Sequence, residues 1–361
     1  MKHRALAIHL PQFHPFPEND AWWGKGFTEW TNTTKAKPLF EEHYQPHLPA
    51  DLGFYDLRLE ESLIAQADLA KEYGIYGFCF YHYWFNGKRL LHTPIDNMLA
   101  SGKPDFPFCF CWANENWTRR WDGHDDEVLM KQDYDFEDDL RHIQFLFPTF
   151  EDSRYIRIDN KPFFIVYRTE LFPDIKKTTT IWRNAAQKAG FDGLYLAYMD
   201  KEPFPKHRPE DLGFDAAIQF CPTFIRENMV EQVRQAETFV QKIRNKKSPK
   251  RLPEHRLYDY QEMISAIQQL PPVDFKRFPG IFPSWDNTAR RKVNALIFKD
   301  ASPYIYEKWF KTIVANFTPY SEEENFIFIN AWNEWAEGNH LEPCQKWGRA
   351  YLEATQNALS N

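Results

Sequence analysis

Glu334 and Glu337 lie three residues apart among Trp332, Asn333 and Trp335, directly after the apolar run 326–331. A carboxyl kept protonated by apolar surroundings can donate to a leaving oxygen, while a second, ionised one acts as base or nucleophile. Such a pair at the end of a buried strand fits cleavage of a glycosidic bond. The spacing alone carries little, since Glu-x-x-Glu most often solvates a helix face. The flanking tryptophans, whose rings stack on the apolar C–H faces of sugars, tip the reading towards a site.

Other apolar runs hand over to polar and aromatic groups in the same way. Residues 4–10, closed by Pro11, lead into a loop with Gln12, His14, Trp22, Trp23, Glu29 and Trp30. It reads as a functional loop or as an Ω-loop packed by its own tryptophans. The extended, Pro-punctuated stretch 43–49 contributes Tyr44. The run 75–85 ends in Tyr81, His82, Tyr83 and Trp84, where His82 also fits as a hydrogen-bonded core histidine. The run 106–112 ends at Trp112 and continues to Asn114, Glu115, Trp117 and Arg119. Runs at 163–167, 194–198, 216–220 and 278–285 bring Tyr167, Gln219, Trp285 and Asp286. Apart from Gln12, His14, Trp22 and Trp23, these residues, with Trp332, Asn333 and Trp335, form the candidate sugar-binding set around Glu334 and Glu337.

The elements that must position this set alternate. Helical spacing at 56–73, 95–100, 135–147, 178–189, 304–317 and 345–359 separates eight strand candidates, with a hairpin expected before the strand at 163–167. Nearly continuous apolar strands imply a parallel sheet covered on both faces. The expectation is an α/β fold, a single (β/α)8 TIM barrel over residues 1–361 with long βα loops, in which all strand ends face one mouth. Residues 224–272 break the rhythm as a basic, partly helical insertion. Between Ile225 and Arg256, nine Lys/Arg stand against four Asp/Glu, about +5 in a chain of −7. Such a run reads as a solvated face, or as a contact for an anionic partner such as a lipid-linked glycan at a membrane surface, through 242–256.

With 43% hydrophobic and 26% charged residues, the chain is in the globular class. Aromatic residues reach 17%, with 13 Trp. The net charge of −7 argues against a general nucleic-acid binder. Five cysteines show no disulfide framework, and Cys109 with Cys111 lacks the second pair a tetrahedral metal site needs. No metal or cofactor is expected. The apolar stretch before Pro11 is too short for a signal peptide and reads as a first strand, and no run is long enough to span a bilayer, so the expected location is cytoplasmic.

The segments WWGKGFTEWTN (22–32), HYQPHLPADLGFYD (43–56), YGIYGFCFYHYWFNGKRLL (73–91), PFCFCWANENWTRRWDG (107–123) and FIFINAWNEWAEGNHLEP (326–343) resemble the bacterial WbsX family. That family occurs among polysaccharide and O-antigen biosynthesis proteins and is often labelled glycosyltransferase. It is related to glycoside hydrolase family 99, the endo-α-1,2-mannosidases, through Asn-Glu-Trp-x-Glu-Gly and the barrel. The resemblance implies that Glu334 takes the proton of the substrate 2-hydroxyl, giving a 1,2-anhydro sugar, and that Glu337 protonates the leaving oxygen and later activates water. Ala336 stands where the family hydrolases carry His, a departure that keeps this chemistry possible and leaves the sugar undefined. The implied activity is a retaining α-glycosidase or transglycosidase on a mannose- or rhamnose-containing polysaccharide. The rivals are a sugar-nucleotide glycosyltransferase and a non-catalytic glycan-binding barrel.

Overall fold

The computed structural model describes residues 3–119, 124–222, 255–291 and 294–360. Among these, parallel strands follow one another around a ring in chain order: β1 (Arg4–His9), β2 (Ile75–Phe85), β3 (Phe108–Trp112), β4 (Lys161–Val166), β5 (Tyr195–Asp200) and β6 (Ala216–Gln219). β7 comes in two pieces, Arg277–Phe278 and Gly280–Ile281, and β8 is Phe326–Ile329. The first piece of β7 pairs with β6, the second with β8, and β8 pairs with β1. The ring closes across Pro279, which has no amide hydrogen to give but whose carbonyl accepts from Phe328 N at 2.9 Å. This is the expected (β/α)8 barrel.

Helices Glu60–Glu72, Thr93–Ser101, Phe136–Phe150, Ile175–Lys188, Tyr260–Gln268, Pro303–Asn316 and Ala350–Leu359 cover the sheet. Between β5 and β6 the crossover is reduced to a short 3₁₀ turn, Pro209–Leu212. The expected strand at 278–285 is shorter than its apolar run, because Pro279 interrupts the ladder and the chain leaves the sheet after Ile281. The loop after β1 is more regular than expected, forming the short helices Pro17–Trp23 and Glu29–Lys35. Pro17 fixes the start of the first, and Thr28 N donates to Thr31 Oγ1 at the start of the second. The expected hairpin at β4 is present, with Arg157–Ile158 paired antiparallel with Lys161 and Pro162 at the start of β4.

Side-chain parity sorts the aromatic residues. Along β2, Phe78, Phe80, His82 and Trp84 alternate with Tyr81 and Tyr83. His82 meets His142, and Trp84 Nε1 donates to Asp138, both on helix Phe136–Phe150. In the N-terminal half of the barrel interior Phe163, Phe278, Phe326 and Phe328 pack together, with Phe163 and Phe326 stacked at 5.5 Å between ring centres. All five cysteines are buried and free.

Of the expected insertion at 224–272, residues up to 254 lie outside the described part. The remainder forms the strand Arg256–Asp259, paired in parallel with Leu296–Lys299, and the helix Tyr260–Gln268. The proposed membrane contact at 242–256 falls outside the described residues except at 255 and 256. Among the described residues no helix is long and apolar enough to cross a membrane.

The closure at β7 depends on a close backbone approach, since a Cβ on Gly280 would stand 1.8 Å from the carbonyl oxygen of Gln219. Gly280→Ala is therefore expected to destabilise the fold by about 3 kcal/mol or more through overpacking, measured by denaturant unfolding.

Candidate active site

The turn that carries the acid pair begins where β8 ends. Asn333–Glu334 pairs antiparallel with Asn339–His340, and Trp335–Glu337 forms a single 3₁₀ turn between them. Glu334 precedes the turn and Glu337 ends it, and the bonds of both to one guanidinium place the two carboxylates on the same side. Gly338 closes the turn at φ 57°. Asn333 fastens the turn to the end of β1, accepting from Leu10 N at 2.8 Å and donating to Leu10 O at 3.0 Å. Asp286 N, beyond β7, donates to Glu337 O at 2.7 Å. Neither carboxylate therefore depends on a mobile tip for its position.

At the centre stands a residue that sequence reasoning missed. Arg290 Nη2 lies 2.7 Å from both Glu29 Oε1 and Glu334 Oε2, its Nη1 lies 2.6 Å from Glu337 Oε1, and its Nε donates to Glu29 Oε1 at 2.7 Å. Glu29 arrives on the first turn of helix Glu29–Lys35, whose N–H donates to Gln12 O. Burial opposes the charge on Arg290, but its three carboxylates raise its affinity for the proton well above the ordinary range. Burial pushes Glu334 up to about 8 against the opposing pull of Arg290, with Glu337 and Glu29 adding to the rise. Glu337 is raised for the same first reason. The side chains differ in access: Glu29 is 0% exposed, Glu334 7% and Glu337 20%. One cation facing three acids favours retention of a proton on the pair, which is the state that acid–base chemistry needs.

Both glutamates open into a cavity of about 400 Å³ at the C-terminal ends of the strands. Of the expected residues, Tyr81, Tyr83, Glu115, Trp117, Tyr167 and Trp285 line it. Glu115 is held by an ion pair with Arg168. Lys201, just past β5, stands over the Tyr167 ring at 3.2 Å, and burial lowers its pKa to about 7. The sequence reading also missed Asn116, Asn287, Arg256 and Arg291 in the wall. Gln12 lines the cavity as well.

Several expected sugar contacts have other places. Trp332 is fully buried against Phe78. Trp335 is buried too, stacked on His340 at 3.8 Å and donating through Nε1 to Glu342 at 2.6 Å. These two tryptophans support the turn of the acid pair from behind and do not wall the cavity. Trp30 donates to Tyr55 O and packs on Trp335. His82, Trp84 and Trp112 face the helix layer, because they share the outward parity of their strands. Asn114 bridges two strand ends, donating to Arg168 O and accepting from Arg168 N. Gln219 does not reach the cavity wall. Arg119 ends the strand Trp117–Arg119, which pairs with His124–Met130, and its side chain lies outside the described part.

Tyr44 and Asp286 border a second cavity of about 370 Å³, separated from the first by Trp285. Burial alone would raise Asp286, yet its bond with His43 Nε2 at 2.5 Å and those from Thr288 hold it below the usual carboxylate range. Asp286 thus orients the backbone of Glu337 from outside the acid cavity. Among the described residues no group of His, Cys, Asp and Glu is arranged to hold a metal ion.

A buried acid pair at the C-terminal mouth of a parallel barrel is an arrangement open to acid–base chemistry. The family model described as "Glycosyltransferase WbsX" matches residues 5–355, and the chain belongs to that family. It is 43% identical over 358 residues to the "Uncharacterized protein WxcX" of Xanthomonas campestris pv. campestris strain B100, covering 98% of this chain and 49% of the relative. The WxcX of strain ATCC 33913 matches equally, at 43% over 358 residues. The chain thus spans about half the length of these relatives. Among solved structures, a "Glycoside hydrolase-like protein" superposes with a TM-score of 0.61 at 14% identity, covering 99% of this chain and 94% of that one. The GH99 endo-alpha-mannosidase from Bacteroides thetaiotaomicron gives 0.60 at 12% identity, with 99% and 96% covered. At such identities the likeness is one of fold.

Behind the turn, Glu342 accepts from Tyr55 Oη at 2.8 Å, Gln66 Nε2 at 2.6 Å and Trp335 Nε1. Burial pushes its carboxyl up to about 7, against these three donors. Glu342→Leu would leave all three buried donors unpaired and should cost about 3 kcal/mol or more of stability, read as a lower midpoint in chemical denaturation.

Proposed function

We propose that this chain is a retaining α-glycosidase or transglycosidase acting on a mannose- or rhamnose-containing polysaccharide, free or lipid-linked, through a 1,2-anhydro sugar. The observation that carries the reading is the placement of Glu334 and Glu337 at the two ends of one tight turn, in one cavity, with Arg290 bonded to both. In this mechanism Glu334 removes the proton of the 2-hydroxyl, and the freed oxygen attacks the anomeric carbon as its bond to the leaving oxygen breaks. Glu337 gives its proton to that oxygen. Water, deprotonated by Glu337, then opens the three-membered ring at the anomeric carbon while Glu334 returns its proton to the 2-oxygen. Two inversions give net retention.

Access supports this division of roles. The water that completes the cycle must reach the acid/base, and Glu337 is the more exposed of the two. Burial raises both carboxyls, so the pair retains a proton; in the reactive state that proton rests on Glu337, and the raised pKa of Glu334 makes its ionised form a stronger base towards a sugar hydroxyl. Arg290 offsets the charge that Glu337 acquires when it gives up its proton. A sugar hydroxyl replacing water at the second step would make the same site a transglycosidase.

The second reading, transfer from a sugar nucleotide, draws on the family's description as glycosyltransferases. Incubation with aryl α-glycosides and with UDP-, GDP- and dTDP-sugars separates the readings. Glycoside hydrolysis supports the first, nucleotide release the second, and neither product leaves a glycan-binding barrel. For the first reading, Glu337→Gln should lose about two to four orders of magnitude in kcat/KM on poor leaving groups and far less on nitrophenyl glycosides. Glu334→Gln should lose as much on every substrate with a free 2-hydroxyl, whatever its leaving group. Near wild-type rates for either variant on poor leaving groups would refute that residue's role.

A further inference from the structure

The cavity is richer in guanidinium groups than a neutral sugar requires. Arg256, Arg290 and Arg291 all line it. Arg290 is absorbed by Glu29, Glu334 and Glu337, and Glu115, the other acid in the wall, is paired with Arg168. Arg256 lies at the start of the strand Arg256–Asp259, and its Nε is buried with no hydrogen-bond partner among the described residues. Arg291 adds positive potential at Glu337 itself, where its charge works to lower that carboxyl's pKa. A buried donor without an acceptor is costly, and a guanidinium fork matches the two oxygens of a carboxylate or phosphate.

Resting on the reading of this cavity as a glycan site, we propose that its substrate carries an anionic group, a carboxylate or a phosphate, seated between Arg256 and Arg291 beside the acid pair. The two arginines reach the wall from different loops. Arg256 comes from the segment after β6, and Arg291 follows the turn Asn287–Ala289 after β7. They are poised to grip a substituent near the bond being broken, and so to choose among sugars of similar shape by charge. Leu296, on the strand paired with Arg256, lines the same wall and gives that seat an apolar side.

The test is calorimetric titration of the Glu334→Gln enzyme with three probes: neutral α-1,2-mannobiose, an α-linked disaccharide ending in glucuronic acid, and mannose 1-phosphate. The expected result is tighter binding of at least one charged probe than of mannobiose by about tenfold to a hundredfold, the range for a charge-assisted hydrogen bond, and weaker binding of it as salt is added. The stronger of the two charged arms identifies the anion as carboxylate or phosphate. Adding Arg256→Gln should remove that preference, and Arg256→Lys should retain part of it, with circular dichroism confirming that each variant is folded. Mannobiose binding as tightly as both charged probes would overturn the inference and leave the glycosidase reading standing. Binding of no probe would overturn it as well, and aryl α-glycoside hydrolysis by the wild-type enzyme would then show whether the glycosidase reading survives.

Discussion

A single guanidinium buried among three carboxylates is the constraint on which this candidate active site depends. Removing such charges from water costs on the order of several kcal/mol per ion, and the cost is offset only when the partners are held in good geometry. Here each partner arrives from a different part of the barrel rim. Glu29 comes from the loop after β1, Arg290 from the loop after β7, and Glu334 and Glu337 from the turn after β8. The closed barrel brings these three loops to one side, and Asn333 and Asp286 fasten the turn after β8 to its neighbours.

From that cluster follows the character of the acid pair. Burial raises both carboxyls and Arg290 pulls both down, so neither behaves as an isolated glutamate. What separates them is access, because Glu334 faces inward and Glu337 keeps part of its surface towards the cavity. Tyr81 and Tyr83 sit close enough to Glu334 for its charge to raise their own pKa values, after the larger effect of burial. Phenols that stay protonated in this way remain hydrogen-bond donors at the cavity wall.

Much of this was legible in the chain. Strands buried on both faces give unbroken apolar runs, and alternation with helical spacing led to the barrel. The acid pair stood out because its neighbours were unusual. Arg290 did not, since Ala289-Arg290-Arg291-Lys292 reads as an ordinary charged loop, and only the fold brings it to Glu29 and the β8 turn. From the sequence Trp332 and Trp335 read as sugar-binding residues, because tryptophan at a strand end can serve either side. Their direction is set by the antiparallel bridge and the 3₁₀ turn, which no periodicity in the sequence reveals. In β2 the parity that separates Tyr81 and Tyr83 from His82 and Trp84 was visible, but which parity faced the barrel axis was not, because both faces are apolar.

The central claim is that Glu334 and Glu337 hold one proton between them at neutral pH while remaining bonded to Arg290. Carbon-13 NMR of the glutamate carboxyls, assigned with the two single Gln variants and followed through a pH titration of the free enzyme, tests it most directly. The account predicts one proton still held by the pair at pH 7, above the ordinary glutamate range, because burial raises both carboxyls. Two carboxyls both ionised by the ordinary glutamate range would contradict it.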